Sequence, residues 1–178
     1  MYDFSNLSPL DFEHLVADLM SAEMKLRFKY YKSGSDGGID TQAFDGPKRI
    51  VIQAKRYIES DYSKLKSRCV LEASHWAKRT ALPNEFWLAT TLPLLPQQAK
   101  ELAGLFPRMP IDQSRVLGLG DIEGLLRSHP SVGRSHVKLW LGNTETLERV
   151  IHAGVSEHSE FERHEIRATA KTLSLIHI

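Results

Sequence analysis

The stretch Arg49-Ile50-Val51-Ile52-Gln53-Ala54-Lys55 constrains this chain more than any other. Its β-branched residues favour an extended strand, and alternation at period two sends Val51, Gln53 and Lys55 to one face and Ile50, Ile52 and Ala54 to the other. Just before it, Asp45-Gly46-Pro47-Lys48 reads as a turn, and residues from about 39 to 44 read as a preceding strand. A hairpin across that four-residue turn faces Phe44 with Arg49. Counting away from the turn along both strands then sets Asp40 opposite Gln53. A register slip of one residue would undo this, because every side chain would change face.

The flanking segments fit an α/β domain. Ser8-Pro9 opens a helix, with Ser8 as N-cap, Pro9 at the first helical position and Asp11 in the first turn. Phe12, Leu15, Val16, Leu19 and Met20 give it one buried stripe through about Met24. Residues 26–33 read as a strand, followed by the glycine-rich turn 34–38. After the hairpin, Ser60 or Asp61 caps a helix to about Lys78 that buries Tyr62, Leu65, Cys69, Ala73 and Trp76. A strand at 86–91, a helix over 96–106, a strand at 116–119 and a short helix capped by Asp121 follow. The order α-β-β-β-α-β-α-β implies a mixed central sheet flanked by helices. Beyond about Pro130 helical periodicity continues without strand signals. We therefore expect a domain over 1–130 and a helical appendage or linker over 131–178.

Charge and length narrow the function classes. The 178 residues allow one α/β core plus a short appendage. Net charge is only +1, from 23 basic and 22 acidic residues, so any nucleic-acid contact must come from local clustering. No apolar run approaches the roughly 18 residues of a membrane span. The N-terminus lacks the pattern of a secretory signal, and the single cysteine, Cys69, forms no intrachain disulfide; a reducing cytoplasm is expected.

In the hairpin register, a carboxylate, an amide oxygen and an ammonium converge. Directly opposed residues hold their Cβ atoms about 4.5–5.5 Å apart. Asp40 and the Gln53 carbonyl oxygen suit a hard cation such as Mg²⁺, with Mn²⁺ as a substitute. Lys55 is placed to orient an attacking water or to neutralise charge developing on a phosphate. Glu13, on the edge of the first helix's apolar stripe, is a fourth candidate acid. Its bland alternative is simple support of the helix dipole.

The succession FEHLVADL, DGGID and IVIQAK resembles the Mrr-like branch of the PD-(D/E)xK nucleases, in which glutamine often stands at the E/Q position. The resemblance covers about residues 5–130. It implies a restriction-endonuclease-like fold and Mg²⁺-dependent cleavage of DNA phosphodiesters. It also implies that Asp40, Gln53 and Lys55 are the metal-site and catalytic residues, with Glu13 the helix acid. Lys32, Ser33, Asp36, Arg56 and Tyr57 are expected at the rim toward DNA. Lys64, Lys66, Arg68, Lys78 and Arg79 are either a solvated helix face or phosphate contacts. The segment LWLGNTETLERVIHAG resembles the junction that joins such nucleases to STAND-type NTPases in bacterial antiviral proteins. The implied partners are thus DNA, further copies of the chain and a downstream NTPase region, with no membrane. The rival reading is an inactive DNA-binding or oligomerisation module of the same fold, favoured by Gln53 in place of an acid. The eight histidines are scattered, with no CxxC or HExxH motif, which disfavours structural zinc.

Overall fold

The structure is a computed structural model and describes residues 2–30, 41–57 and 62–139. Within it, Phe4–Leu139 forms one compact unit. Helix α1 runs Pro9–Met24 and starts with a reciprocal cap. The Asp11 amide donates to Ser8 Oγ at 3.1 Å, and the Ser8 amide donates to Asp11 Oδ2 at 2.8 Å. Such a cap satisfies two amides that the helix itself leaves without acceptors. Phe12, Leu15, Val16, Leu19 and Met20 are buried, as the helical spacing predicts.

Five strands form one mixed sheet in the order β1-β2-β3-β4-β5: Lys29–Tyr30, Thr41–Asp45, Lys48–Lys55, Glu85–Thr90 and Val116–Leu117. The pairs β1–β2 and β2–β3 are antiparallel, while β3–β4 and β4–β5 are parallel. Each parallel step needs a crossover. Helix α2 (Tyr62–Ala77) lies between β3 and β4 in the chain, and α3 (Pro96–Gly104) between β4 and β5. The mixed sheet with flanking helices is the expected α/β class.

The register between β2 and β3 is the one read from the sequence. Phe44 faces Arg49, Ala43 faces Ile50, Gln42 faces Val51 and Thr41 faces Ile52. The turn is tighter than expected, because Asp45 also pairs with Lys48 and only Gly46-Pro47 loops out. Gly46 takes φ +57 and leads into proline, which suits a two-residue turn whose first position needs positive φ and whose second needs the proline value.

Val51 joins a core with Leu65, Cys69 and Trp76 of α2, Leu102 of α3, and Phe86 and Leu88 of β4. Helix α1 packs near β3 on the other side, where Ile50, Ile52 and Ala54 are buried. The sheet is thus covered on both faces, which explains why β3 reads as apolar in both phases of its alternation.

Three local readings change. The strand expected over 26–33 is only Lys29–Tyr30 among the described residues, and Phe28 is buried just ahead of it. Helix α3 stops at Gly104 rather than Phe106, and Phe106 turns into the core. Asp121 is not the N-cap of α4 (Leu119–Ser128). Gly118 is, and Asp121 Oδ2 accepts the Gly118 amide at 2.9 Å from the first turn. The first part of the expected appendage packs on α1. Helix α5 (Pro130–Ser135) and the turn Val137–Leu139 bring His129 Nε2 to Glu23 at 2.8 Å, His136 Nε2 to Asp18 at 2.9 Å and Lys138 Nζ to Asp11 at 2.7 Å. The glycine-rich turn, the helix-capping candidates Ser60 and Asp61, and residues 140–178 lie outside the described residues.

Candidate active site

Strand alternation brings Gln53 and Lys55 to the same face of β3, the face covered by α2. Gln53 is wholly buried. Across the parallel ladder, Leu88 faces Gln53 and the buried Thr90 faces Lys55. Lys55 extends toward α2, where its Nζ lies 3.4 Å from Glu72 Oε1, with only 17% of the lysine side chain exposed. Arg68 Nε stands 3.7 Å from the same carboxylate oxygen, one helical turn earlier. A buried carboxylate between two cations is a stable arrangement only while all three remain charged and in place.

Glu72 is the residue of this face that sequence reasoning missed. It occupies the buried stripe Leu65, Cys69, Glu72, Trp76, whose spacings of four, three and four residues are those of a core-facing helix stripe. An acid at such a position needs an internal cation, and that mismatch was the available signal. Helical spacing alone adds Tyr62 and Ala73 to the stripe in place of Glu72, and both are only partly buried. Cys69 lies one turn from Glu72, and burial pushes its thiol up to about 12 from its ordinary 9.0. It is therefore no nucleophile.

The other expected residues fall as follows. Asp40, Lys32, Ser33 and Asp36 lie outside the described residues; Asp40 directly precedes Thr41, the first described residue of β2. Glu13 is half-buried on α1, the helix over the Ile50–Ile52 face. Arg56 is tied to the N-terminal turn, its Nη2 donating to the Ser5 carbonyl at 2.6 Å. Tyr57 exchanges backbone hydrogen bonds with the Thr91 hydroxyl, at 2.8 Å and 2.6 Å, and packs on the core. Both therefore carry structural duties at the end of β3. Of the α2 cations, Lys66 pairs with Glu101 of α3 at 2.5 Å, and the Arg79 guanidinium lies 4.3 Å over the Trp76 ring. Lys64, Arg68 and Lys78 are exposed.

Among the described residues, no three His, Cys, Asp or Glu side chains stand together as a metal cluster, and no helix is long and apolar enough to cross a membrane. What the face offers is one buried amide, a lysine fixed by a buried acid, and a hydroxyl at Thr90. This donor chemistry is of oxygen and amine, suited to hard cations and phosphates rather than to soft metals.

Comparisons with known proteins agree with this fold. A restriction endonuclease family model, the Mrr catalytic domain, matches residues 4–109, from the first turn through α3. The chain is 36% identical over 150 residues to the uncharacterized protein y4cD of Sinorhizobium fredii. The match takes in 84% of this chain but only 23% of that relative, so the shared part spans less than a quarter of the longer protein's length. No solved structure matches. With its mixed sheet, its α2-covered β3 and a family match over more than half its length, this chain belongs to the Mrr-type restriction endonuclease family.

Proposed function

We propose that the domain is a divalent-metal-dependent endonuclease that hydrolyses DNA phosphodiester bonds, with Mg²⁺ as its ion and Mn²⁺ as a substitute. The observation that carries the reading is the hairpin register. The sequence placed Asp40 opposite Gln53 by counting back from Phe44 and Arg49, and four described pairs keep that count up to Thr41 and Ile52. If the strand pairing continued by one residue, Asp40 would stand against Gln53, on the face that Lys55 shares. Members of this family generally act with divalent metals, and the oxygen donors fit a hard ion that retains several waters.

In this reading Asp40 and the Gln53 carbonyl oxygen would hold the ion, which when bound supplies Lewis acidity toward water and a phosphate oxygen. Lys55 keeps an ammonium beside the scissile phosphate, where it orients the attacking water and offsets the charge gathering on the phosphoryl oxygens. Glu72 fixes that ammonium through its 3.4 Å contact. Glu13, carried by α1 over the opposite face of β3, could assist only from around the end of that strand. Further proposals are that the domain serves as the effector of a bacterial restriction or antiphage system, works in the cytoplasm and acts on both strands as a dimer or higher assembly. A STAND-type NTPase region downstream is proposed as well. The length of y4cD beyond the matched part is compatible with such an arrangement.

Supercoiled plasmid offered with Mg²⁺ or Mn²⁺, and with EDTA as control, tests the reading. Cleavage by the parent chain and its loss in both Asp40→Ala and Lys55→Ala, with unchanged circular dichroism, are expected. Retained cleavage in both variants would remove the assignment. One feature favours the rival, a DNA-binding module without turnover: Gln53 brings no charge where many nucleases carry an acid. That reading predicts metal-independent DNA binding and no nicking under any of these conditions.

A further inference from the structure

Between Tyr62 and Arg79 the chain carries one acid, Glu72, against Lys64, Lys66, Arg68, Lys78 and Arg79. The acid is buried at 5% exposure, so the outer surface of α2 bears only positive charge. For a chain whose net charge is +1 this is a strong local departure. The cations also divide by side. Lys66 and Tyr62 turn toward α3, where both bind Glu101. At about 100° per residue, Lys64, Arg68 and His75 fall within about 40° of one another on the exposed flank away from α3. Lys78 continues this stripe in the turn that ends the helix, where its amide still donates to the His75 carbonyl at 3.3 Å.

The stripe begins at the site. Arg68 touches Glu72, which touches Lys55. At its far end, burial first and then the nearby Arg49 guanidinium of β3 lower the affinity of Arg79 for its proton. From Lys64 to Lys78 the run is about 21 Å at 1.5 Å per residue, the length over which one DNA strand presents about six phosphates. A patch of one sign, of that length and continuous with a phosphodiester-cleaving site, is the electrostatic complement of a nucleic-acid backbone.

We infer that the stripe Lys64, Arg68, His75 and Lys78 on α2 grips the phosphate backbone of a DNA duplex and leads it to Lys55. The inference rests on the nuclease reading above but is measured separately from it. Binding of a short labelled duplex, recorded in EDTA across a salt series, needs no turnover. Replacing Lys64, Arg68 and Lys78 together by glutamine should weaken binding and flatten the plot of log affinity against log salt by about 2.7, at about 0.9 for each phosphate no longer neutralised. Because Arg68 also touches Glu72, the pair Lys64→Gln and Lys78→Gln serves as the variant that leaves the buried network alone, and its slope should flatten by about 1.8. Removing three exposed cations elsewhere, by Lys100→Gln, Arg127→Gln and Arg134→Gln, should leave the slope unchanged.

A slope that is equal in the parent and in the α2 variants overturns the inference. So does an equal flattening in the control variant, an effect on RNA binding with none on DNA, or a parent chain that binds no duplex. A chain that binds through the stripe yet cuts nothing refutes the nuclease reading and leaves the stripe standing. One that cuts DNA with an unaltered slope refutes the stripe alone.

Discussion

Removing the Glu72 carboxylate isolates the interaction on which the site's geometry turns. In Glu72→Ala, the Lys55 ammonium loses its counter-charge at 3.4 Å, and Arg68 loses its own at 3.7 Å. The lysine side chain is 17% exposed and cannot fully rehydrate where it stands. Breaking a buried pair from one side costs about 3–5 kcal/mol. The residual water access at Lys55 and the length of the ion pair favour the lower end, about 3 kcal/mol. For a chain of this size that is a fall in melting temperature of about 6–12 °C. Glu72→Gln keeps the shape and an acceptor oxygen but not the charge, and should cost about 1.5 kcal/mol, the scale of one charge-assisted hydrogen bond. The decisive partner is the double replacement Lys55→Met with Glu72→Leu. If an uncompensated charge is the source of the destabilisation, removing both charges should restore most of the stability. Thermal and urea melts followed by circular dichroism read all three. A Glu72→Ala chain that melts with the parent, or a double variant as damaged as the single, would refute the account.

Gly46 and Cys69 each give outcomes that can be measured. Gly46→Val should destabilise by about 1–2 kcal/mol in a urea titration, since φ +57 penalises any β-branched residue while the space around a new Cβ is open; an unchanged midpoint would show that the turn readjusts freely. Cys69, held neutral by burial, should resist iodoacetamide at pH 8 in the folded chain and react promptly in denaturant. Its folded pKa lies above its unfolded one, so its contribution is whole below about pH 9 and is lost as pH rises toward 12. Stability should thus fall less steeply over that window in Cys69→Ala than in the parent, and equal slopes would contradict the burial.

Much of the fold is legible because each level of the sequence says the same thing. Ser8, Pro9 and Asp11 specify where α1 starts, and its apolar spacing says which side is buried. The hairpin register followed from the turn alone, even though the turn itself closed one pair tighter. What the sequence hid was tertiary. Glu72 looks like a solvated helix acid until β3 is laid beneath α2 and Lys55 is seen to meet it. Arg56 looks like a basic rim residue until the chain before α1 is found to offer its carbonyls. Asp121 and Gly118 exchange roles for a related reason. A backbone amide can be capped from inside the helix by an acid in the first turn, so the acid's presence marks the start of the helix without fixing its boundary residue.

Strand β3 is bonded along both edges: Ile50, Val51 and Ile52 each have partners in β2 on one side and in β4 on the other. Their amides have no route to deuterium except through opening of the sheet itself, so they belong with the slowest-exchanging protons of the molecule. A ligand bearing on Gln53 and Lys55 therefore pushes against a backbone that gives way only when the domain unfolds. Accommodation to different ligands falls instead to the side chains arrayed around that fixed rail.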